Sequence, residues 1–196
     1  MLSLTLWFGS FHSAICLHFF LLSFLPCPIS MTATFQIRPA KPSDAGLILS
    51  FIKALAEYEK LAHEVTATEE QLHKNLFEHK YAEVVIGYHK ESDASEEVPV
   101  GFALFFHNFS TFVGKPGIYL EDLFVLKEYR GFGYGKKLLT HLAKLARDRD
   151  CGRYEWVVLD WNEPSIAFYK ALGAEPQKQW IIQRVDGKAL DDLANM

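Results

Sequence analysis

Leu47, Ile48, Phe51, Ile52, Leu55 and Tyr58 recur at helical spacing, which predicts an amphipathic helix that Ser43 or Asp44 can cap. A short strand over residues 35–38 precedes it, and Pro39 and Pro42 separate the two. Residues 68–71, Thr-Glu-Glu-Gln, have the form of a capping box and open a second helix that ends near His79. Residues 82–88 and 100–109 read as strands of a hairpin, with the polar stretch 91–97 between them. Gly114, Pro116 and Gly117 mark a loop before the next strand. Leu138, Leu139, Leu142, Leu145 and Ala146 share one face of a helix over residues 134–149, so that helix packs on a sheet. A buried strand is expected over residues 154–159 and a short helix over 164–172, stopped by Gly173. A final strand is expected over 180–185. Helices separated by strands make an α/β (α+β layered) domain around one sheet.

Composition changes this picture at one end only. A length of 196 residues suits one domain with a substantial core. A net charge of −4 offers no basic face for nucleic acid. It suits a cationic substrate, and simple solubility accounts for it equally well. Cys16, Cys27 and Cys151 show no C-x-x-C spacing, so neither a disulfide framework nor a zinc site is expected. Residues 1–30 contain no Lys, Arg, Asp or Glu. A secretory signal would carry a basic start, and a membrane anchor needs about twenty apolar residues, which polar positions dilute here. The expectation is that Met31 initiates the functional chain and that residues 31–196 form one domain. Retention of residues 1–30 as an anchor is the alternative.

The chemistry concentrates in residues 118–137, IYLEDLFVLKEYRGFGYGKK. An apolar strand carrying Glu121 and Asp122 runs into Arg130, then Gly131, Gly133 and Gly135, and then a helix. The glycines free backbone amides to point one way at the positive end of that helix, which makes a cradle for phosphate oxygens. The spacing G-x-G-x-G is one residue short of the dinucleotide-binding G-x-G-x-x-G, and Lys137 stands where a P-loop needs Ser or Thr. Neighbouring strand residues point to opposite faces, so Glu121 and Asp122 share a pocket only if the strand bulges there. Without a bulge, Leu123 and Val125 lie on the side of Glu121, and Leu120 and Phe124 on that of Asp122. A carboxylate can both bind an ammonium and help to deprotonate it. An acidic strand beside a phosphate cradle therefore predicts a cationic substrate meeting a phosphate-bearing cofactor.

Arg130-x-x-Gly133-x-Gly135 matches the (Gln/Arg)-x-x-Gly-x-(Gly/Ala) signature of the GNAT superfamily of N-acetyltransferases. The chain resembles the diamine (spermidine/spermine) and thialysine acetyltransferases of that group. The resemblance covers residues 35–185 and rests on LAEYEKL at 55–61, YLED at 119–122, YRGFG at 129–133 and WNEPSIAFYK at 161–170. It implies a GNAT-like fold, with a central mixed, mostly antiparallel twisted sheet flanked by helices. It also implies acetyl-CoA as co-substrate and a homodimer; the residues indicate no metal, and the scattered cysteines with a cytoplasmic acyl donor make a cytoplasmic location the expectation.

The resemblance assigns roles as well. Arg130, Gly131, Phe132, Gly133, Tyr134, Gly135 and Lys136 would hold the pyrophosphate of acetyl-CoA, with Lys137 on a solvated helix face. Leu123, Phe124 and Val125 would lie against the acetyl-pantetheine arm. Asn162, Glu163, Pro164 and Ser165 would contact that arm or cap the helix. Glu121 would take up the proton of the substrate amine, directly or through water, and Tyr169 would protonate the departing thiolate. Tyr58, Glu59 and Trp180 would line the amine site. Asp122 has two readings, a substrate contact or a structural carboxylate. Gln177-Lys178-Gln179 departs from the polyamine enzymes, which carry an acidic residue shortly before the matching tryptophan. A lysine there fits a shorter amine or a lysine-like amino acid. The expected reaction is direct acetyl transfer to a small primary amine in a ternary complex. The alternatives are a protein lysine or N-terminal acetyltransferase and a silent acyl-CoA-binding module.

Overall fold

The computed structural model describes residues 33–196; Cys16, Cys27 and the expectations for residues 1–30 and Met31 lie outside them. Strands β1 (Thr34–Pro39), β2 (Glu83–Lys90), β3 (Val98–Ser110), β4 (Lys115–Val125) and β5 (Arg153–Trp156) form one sheet in chain order. The first three pairings are antiparallel and β4–β5 is parallel, so the sheet is mixed and mostly antiparallel. Because parallel neighbours need a crossover, α3 (Tyr134–Asp148) fills the connection between β4 and β5.

The two sheet faces hold two apolar layers. On one, Leu138, Leu139, Leu142 and Ala146 of α3 meet Val85, Ala103, Phe105, Ile118 and Leu120. Burying a leucine as fully as Leu138 or Leu142 contributes about 1.5–3 kcal/mol. On the other, Ile48 and Phe51 of α1 (Ala45–Glu59), with Leu76, meet Val84, Ile86, Phe102 and Phe124. The capping box forms as its sequence predicts: Thr68 Oγ1 accepts from the Gln71 N–H at 3.2 Å, and Gln71 Oε1 from the Thr68 N–H at 2.9 Å. It opens α2 (Glu69–His73), which widens into a π-helical turn over Lys74–Glu78. Helices α4 (Glu163–Ala171) and α5 (Gly187–Ala194) follow β5. No helix among the described residues is long and apolar enough to cross a membrane.

Four expectations change. Pro116 and Gly117 lie inside β4, not in a loop, opposite Phe109 and Asn108. A side chain at Gly117 would collide with Asn108 Oδ1 and Arg153, so close packing of strands, not a turn, requires that glycine. Strand β5 stops at Trp156, and Val157 and Val158 are exposed. Residues 180–185 form no strand: Trp180, Ile181 and Ile182 are exposed and pair with none of the five strands. Finally, the register Leu104↔Asp122 and Phe105↔Leu120 leaves Glu121 as an extra residue on β4, a β-bulge. The bulge reverses the strand's phase. Leu120 packs against α3 while Phe124 joins the opposite layer, so those two do not share a side, contrary to the unbulged expectation.

Candidate active site

The bulge and the early end of β5 together open the sheet. β4 and β5 pair only from Gly117↔Arg153 to Leu120↔Trp156. Beyond that point β4 continues to Val125 while residues 157–159 diverge. The gap is a cavity of about 570 Å³, lined on one side by residues 121–125 and on the other by Val157, Val158 and Leu159. α1 contributes Leu55, Tyr58 and Glu59, the glycine loop closes one end, and Asn162, Pro164, Ser165, Phe168 and Tyr169 close another.

At the loop end, Gly131 and Gly133 have φ of 86° and 77°, the left-handed region that glycine enters without strain. Gly133 is the residue before α3, so the free N–H groups of the first helical turn open toward the cavity. Gly135 is more telling. A Cβ added there meets nothing within 4 Å, and its backbone is helical, so neither packing nor strain within the chain calls for glycine. The space over its backbone is open to a ligand, and a pyrophosphate at a helix N-terminus would fit the charge and the donors present. Arg130 reaches across this end. Its Nε–H donates to the Val125 carbonyl at 3.0 Å, and its guanidinium lies 4.6 Å from the centre of the Tyr58 ring.

At the acidic end, the bulge brings Glu121 and Asp122 into the same cavity, where Glu59 joins them. Burial, then the neighbouring charges of Glu121 and Glu59, push the Asp122 carboxyl up to about 6. Burial also raises Glu59. A cation in the cavity would offset the charge that burial leaves uncompensated at Asp122 and Glu59. Among the described residues no His, Cys, Asp or Glu cluster is placed to hold a metal ion.

Tyr169 projects from α4 into the cavity and packs at a tilt against Trp156, ring centres 5.1 Å apart at 59°. Burial, then Glu59 and Tyr58, raise its hydroxyl above the usual phenol range, so it keeps a proton at neutral pH. Asn162 Oδ1 caps α4 by accepting from the Ser165 N–H at 3.4 Å and also accepts from the Tyr58 hydroxyl at 3.2 Å. One buried amide thus ties α1 to α4 across the site.

Of the residues singled out in the sequence, Tyr58, Glu59, Glu121, Asp122, Leu123, Phe124, Val125, Arg130, Gly131, Gly133, Tyr134, Gly135, Lys136, Asn162, Pro164, Ser165 and Tyr169 line the cavity. Phe132, Glu163 and Trp180 do not; Trp180 is 69% exposed. Sequence reasoning missed Leu55, Tyr129, Phe168 and residues 157–159 as wall residues. The apolar run Trp156-Val157-Val158-Leu159 signals a strand but not where its pairing ends.

Residues 51–174 match the acetyltransferase (GNAT) family. The chain belongs to that family. It is 37% identical over 170 residues to a thialysine N-epsilon-acetyltransferase of Mus musculus, covering 83% of this chain and 98% of the relative. It is 34% identical over 198 residues to the L-ornithine N5-acetyltransferase NATA1 of Arabidopsis thaliana, covering 81% and 87%. Among solved structures, an integron cassette protein from the mobile metagenome of V. cholerae superposes with a TM-score of 0.68 at 25% identity, covering 83% of this chain and 98% of that one.

Proposed function

We infer that the chain is an acetyl-CoA-dependent N-acetyltransferase for a primary amine of a small molecule, a diamine or polyamine or a lysine-like amino acid such as thialysine. The observation that carries this reading is the meeting of three carboxylates, Glu59, Glu121 and Asp122, with a phenol and a glycine cradle in one cavity. The thialysine and ornithine acetyltransferases among its relatives support it, since both names specify side-chain amines of small amino acids.

Acetyl-CoA supplies the acetyl thioester. The backbone amides of residues 131–136 and the side chain of Lys136 bind the pyrophosphate, and the β4 backbone over residues 123–125 orients the pantetheine arm. Glu59 and Asp122 hold the substrate's remaining cation, and beside it lies the reacting ammonium. Glu121 takes its proton, directly or through one water, because only the free amine has the lone pair needed to attack the thioester carbonyl. As the new C–N bond forms and the C–S bond breaks, Tyr169 gives its proton to the sulfur, and the second proton shed by the acylated nitrogen passes through water to the phenolate, which restores the acid. The raised affinity of Tyr169 for its proton keeps it ready as the acid at neutral pH. Holding both reactants in one cleft makes the attack effectively unimolecular, so no acyl-enzyme is needed.

The test is release of CoA thiol from acetyl-CoA against spermidine, spermine, short diamines, lysine, ornithine, thialysine and a lysine peptide. Turnover with a free small amine is expected. Turnover with the peptide alone, or with nothing despite acetyl-CoA binding, would overturn the reading.

A further inference from the structure

Beside the glycine cradle, aromatic side chains of the same loop gather on a buried histidine of β2. Tyr134, the first residue of α3, is 4% exposed, and its hydroxyl lies 2.6 Å from Nδ1 of His89 near the end of β2. His89 is itself 6% exposed, and its Nε2 lies 2.9 Å from the Glu91 carboxylate at the surface. A carboxylate only accepts, so Nε2–H donates to Glu91, and in the neutral imidazole Nδ1 then accepts from the Tyr134 hydroxyl. Burial, then the Glu91 charge and Tyr129, raise the Tyr134 phenol, which keeps its proton for that bond.

The rest of the loop gathers on the same imidazole. Tyr129 and Phe132 lie 5.1 and 6.2 Å from the His89 ring, centre to centre. Phe132 stacks on Tyr134 at 5.6 Å, and Phe35 of β1 stacks on it at 4.0 Å and 8°. Three aromatic residues flanking or interleaving Gly131 and Gly133 thus converge on one buried histidine. A loop with two left-handed glycines has little stiffness of its own. Its amides can be aimed before ligand arrives only if something outside the loop fixes it.

We propose that His89 is a positioning residue for cofactor binding: oriented by Glu91, it holds Tyr134 and the aromatic residues of the loop, and so preorganises the amides of residues 131–136 for the pyrophosphate. The inference rests on the reading of that loop as the phosphate cradle. Nothing in the acid–base steps uses His89, Glu91 or the Tyr134 hydroxyl, and a buried histidine with both nitrogens engaged restricts the loop without touching ligand.

The experiment measures CoA and pantetheine affinity calorimetrically for the full-length protein and its His89→Gln, Tyr134→Phe and double variants. Each single change should weaken CoA binding about three- to tenfold, the range of one lost hydrogen bond, and leave pantetheine unaffected. The double variant should be no weaker than the worse single, because both changes remove the same bond. His89→Gln should raise the KM for acetyl-CoA while kcat and the KM for the amine stay put, a split that general loosening of the fold would not give. Tyr134→Phe deletes one oxygen and preserves the stack with Phe35, so it remains informative if the histidine variant folds poorly. Imidazole nitrogen shifts of the wild type should show the hydrogen on Nε2. Wild-type CoA affinity in the variants, equal losses for CoA and pantetheine, or a hydrogen on Nδ1 alone would overturn the proposal. A wild type that binds CoA no better than pantetheine would instead refute the cradle itself.

Discussion

Replacing Asp122 by Asn should stabilise the protein above about pH 6 and weaken its grip on a cationic amine. The Asp122 carboxyl moves from 3.8 to about 6 on folding, roughly two units, because burial and the charges of Glu121 and Glu59 oppose its ionisation. At about 1.4 kcal/mol per unit, ionised Asp122 costs the fold close to 3 kcal/mol. The direction follows from the raised value. Between pH 3.8 and about 6 the folded chain holds this proton more tightly than the unfolded one, so the stability it contributes is present below that window and is lost as pH rises through it. Asparagine has no proton to lose. Urea unfolding of wild type and D122N across pH 3.5–8 should show a stability difference that grows in favour of the variant through the window, to about 3 kcal/mol, and then levels. A difference independent of pH would refute the argument, as would a variant less stable than wild type at pH 7.5. The same substitution should raise the KM for the amine, because the charge that destabilises the empty site is the one a bound ammonium satisfies.

Tyr169→Phe removes the proposed acid and should lower kcat by about 10²-fold or more with acetyl-CoA affinity nearly intact; an unchanged rate would remove Tyr169 from that role. Gly133→Val places a branched side chain at φ 77° beside the cradle. It should cost about 1–2 kcal/mol of stability or more and weaken acetyl-CoA binding, and unaltered affinity by calorimetry would contradict the cradle. Leu142→Ala, in the fully buried layer under α3, should cost about 2–5 kcal/mol in chemical denaturation with little effect on the KM of either substrate.

Much of the fold was legible because its elements announce themselves locally. The apolar stripe of α3, the capping box at Thr68 and the apolar runs of β2 and β3 on either side of a polar stretch are each readable within a short window. The glycine loop was legible from its spacing ahead of a helix, and Gly131 and Gly133 do adopt the positive φ that glycine allows. What escaped depends on partners distant in sequence. The bulge at Glu121 is a mismatch of register with β3, visible only when both strands are in place. The end of β5 at Trp156 is set by the divergence from β4 that the bulge begins, so Val157 and Val158 form a cavity wall despite their strand-like composition. Trp180, Ile181 and Ile182 carry a strand composition that the described residues do not pair. His89 gave no sequence signal, since a lone histidine in an apolar strand is silent about what lies across the fold.

The most direct test of the account is a crystal structure of the protein with a bisubstrate adduct, CoA joined through an acetyl linker to a diamine or to the side-chain amine of lysine. The account predicts the pyrophosphate on the amides of residues 131–136, the sulfur within hydrogen-bond reach of the Tyr169 hydroxyl, and the amine nitrogen against Glu121 with the remaining cation beside Asp122 and Glu59. An adduct bound with its amine portion outside the gap between β4 and residues 157–159, or with its sulfur remote from Tyr169, would contradict it.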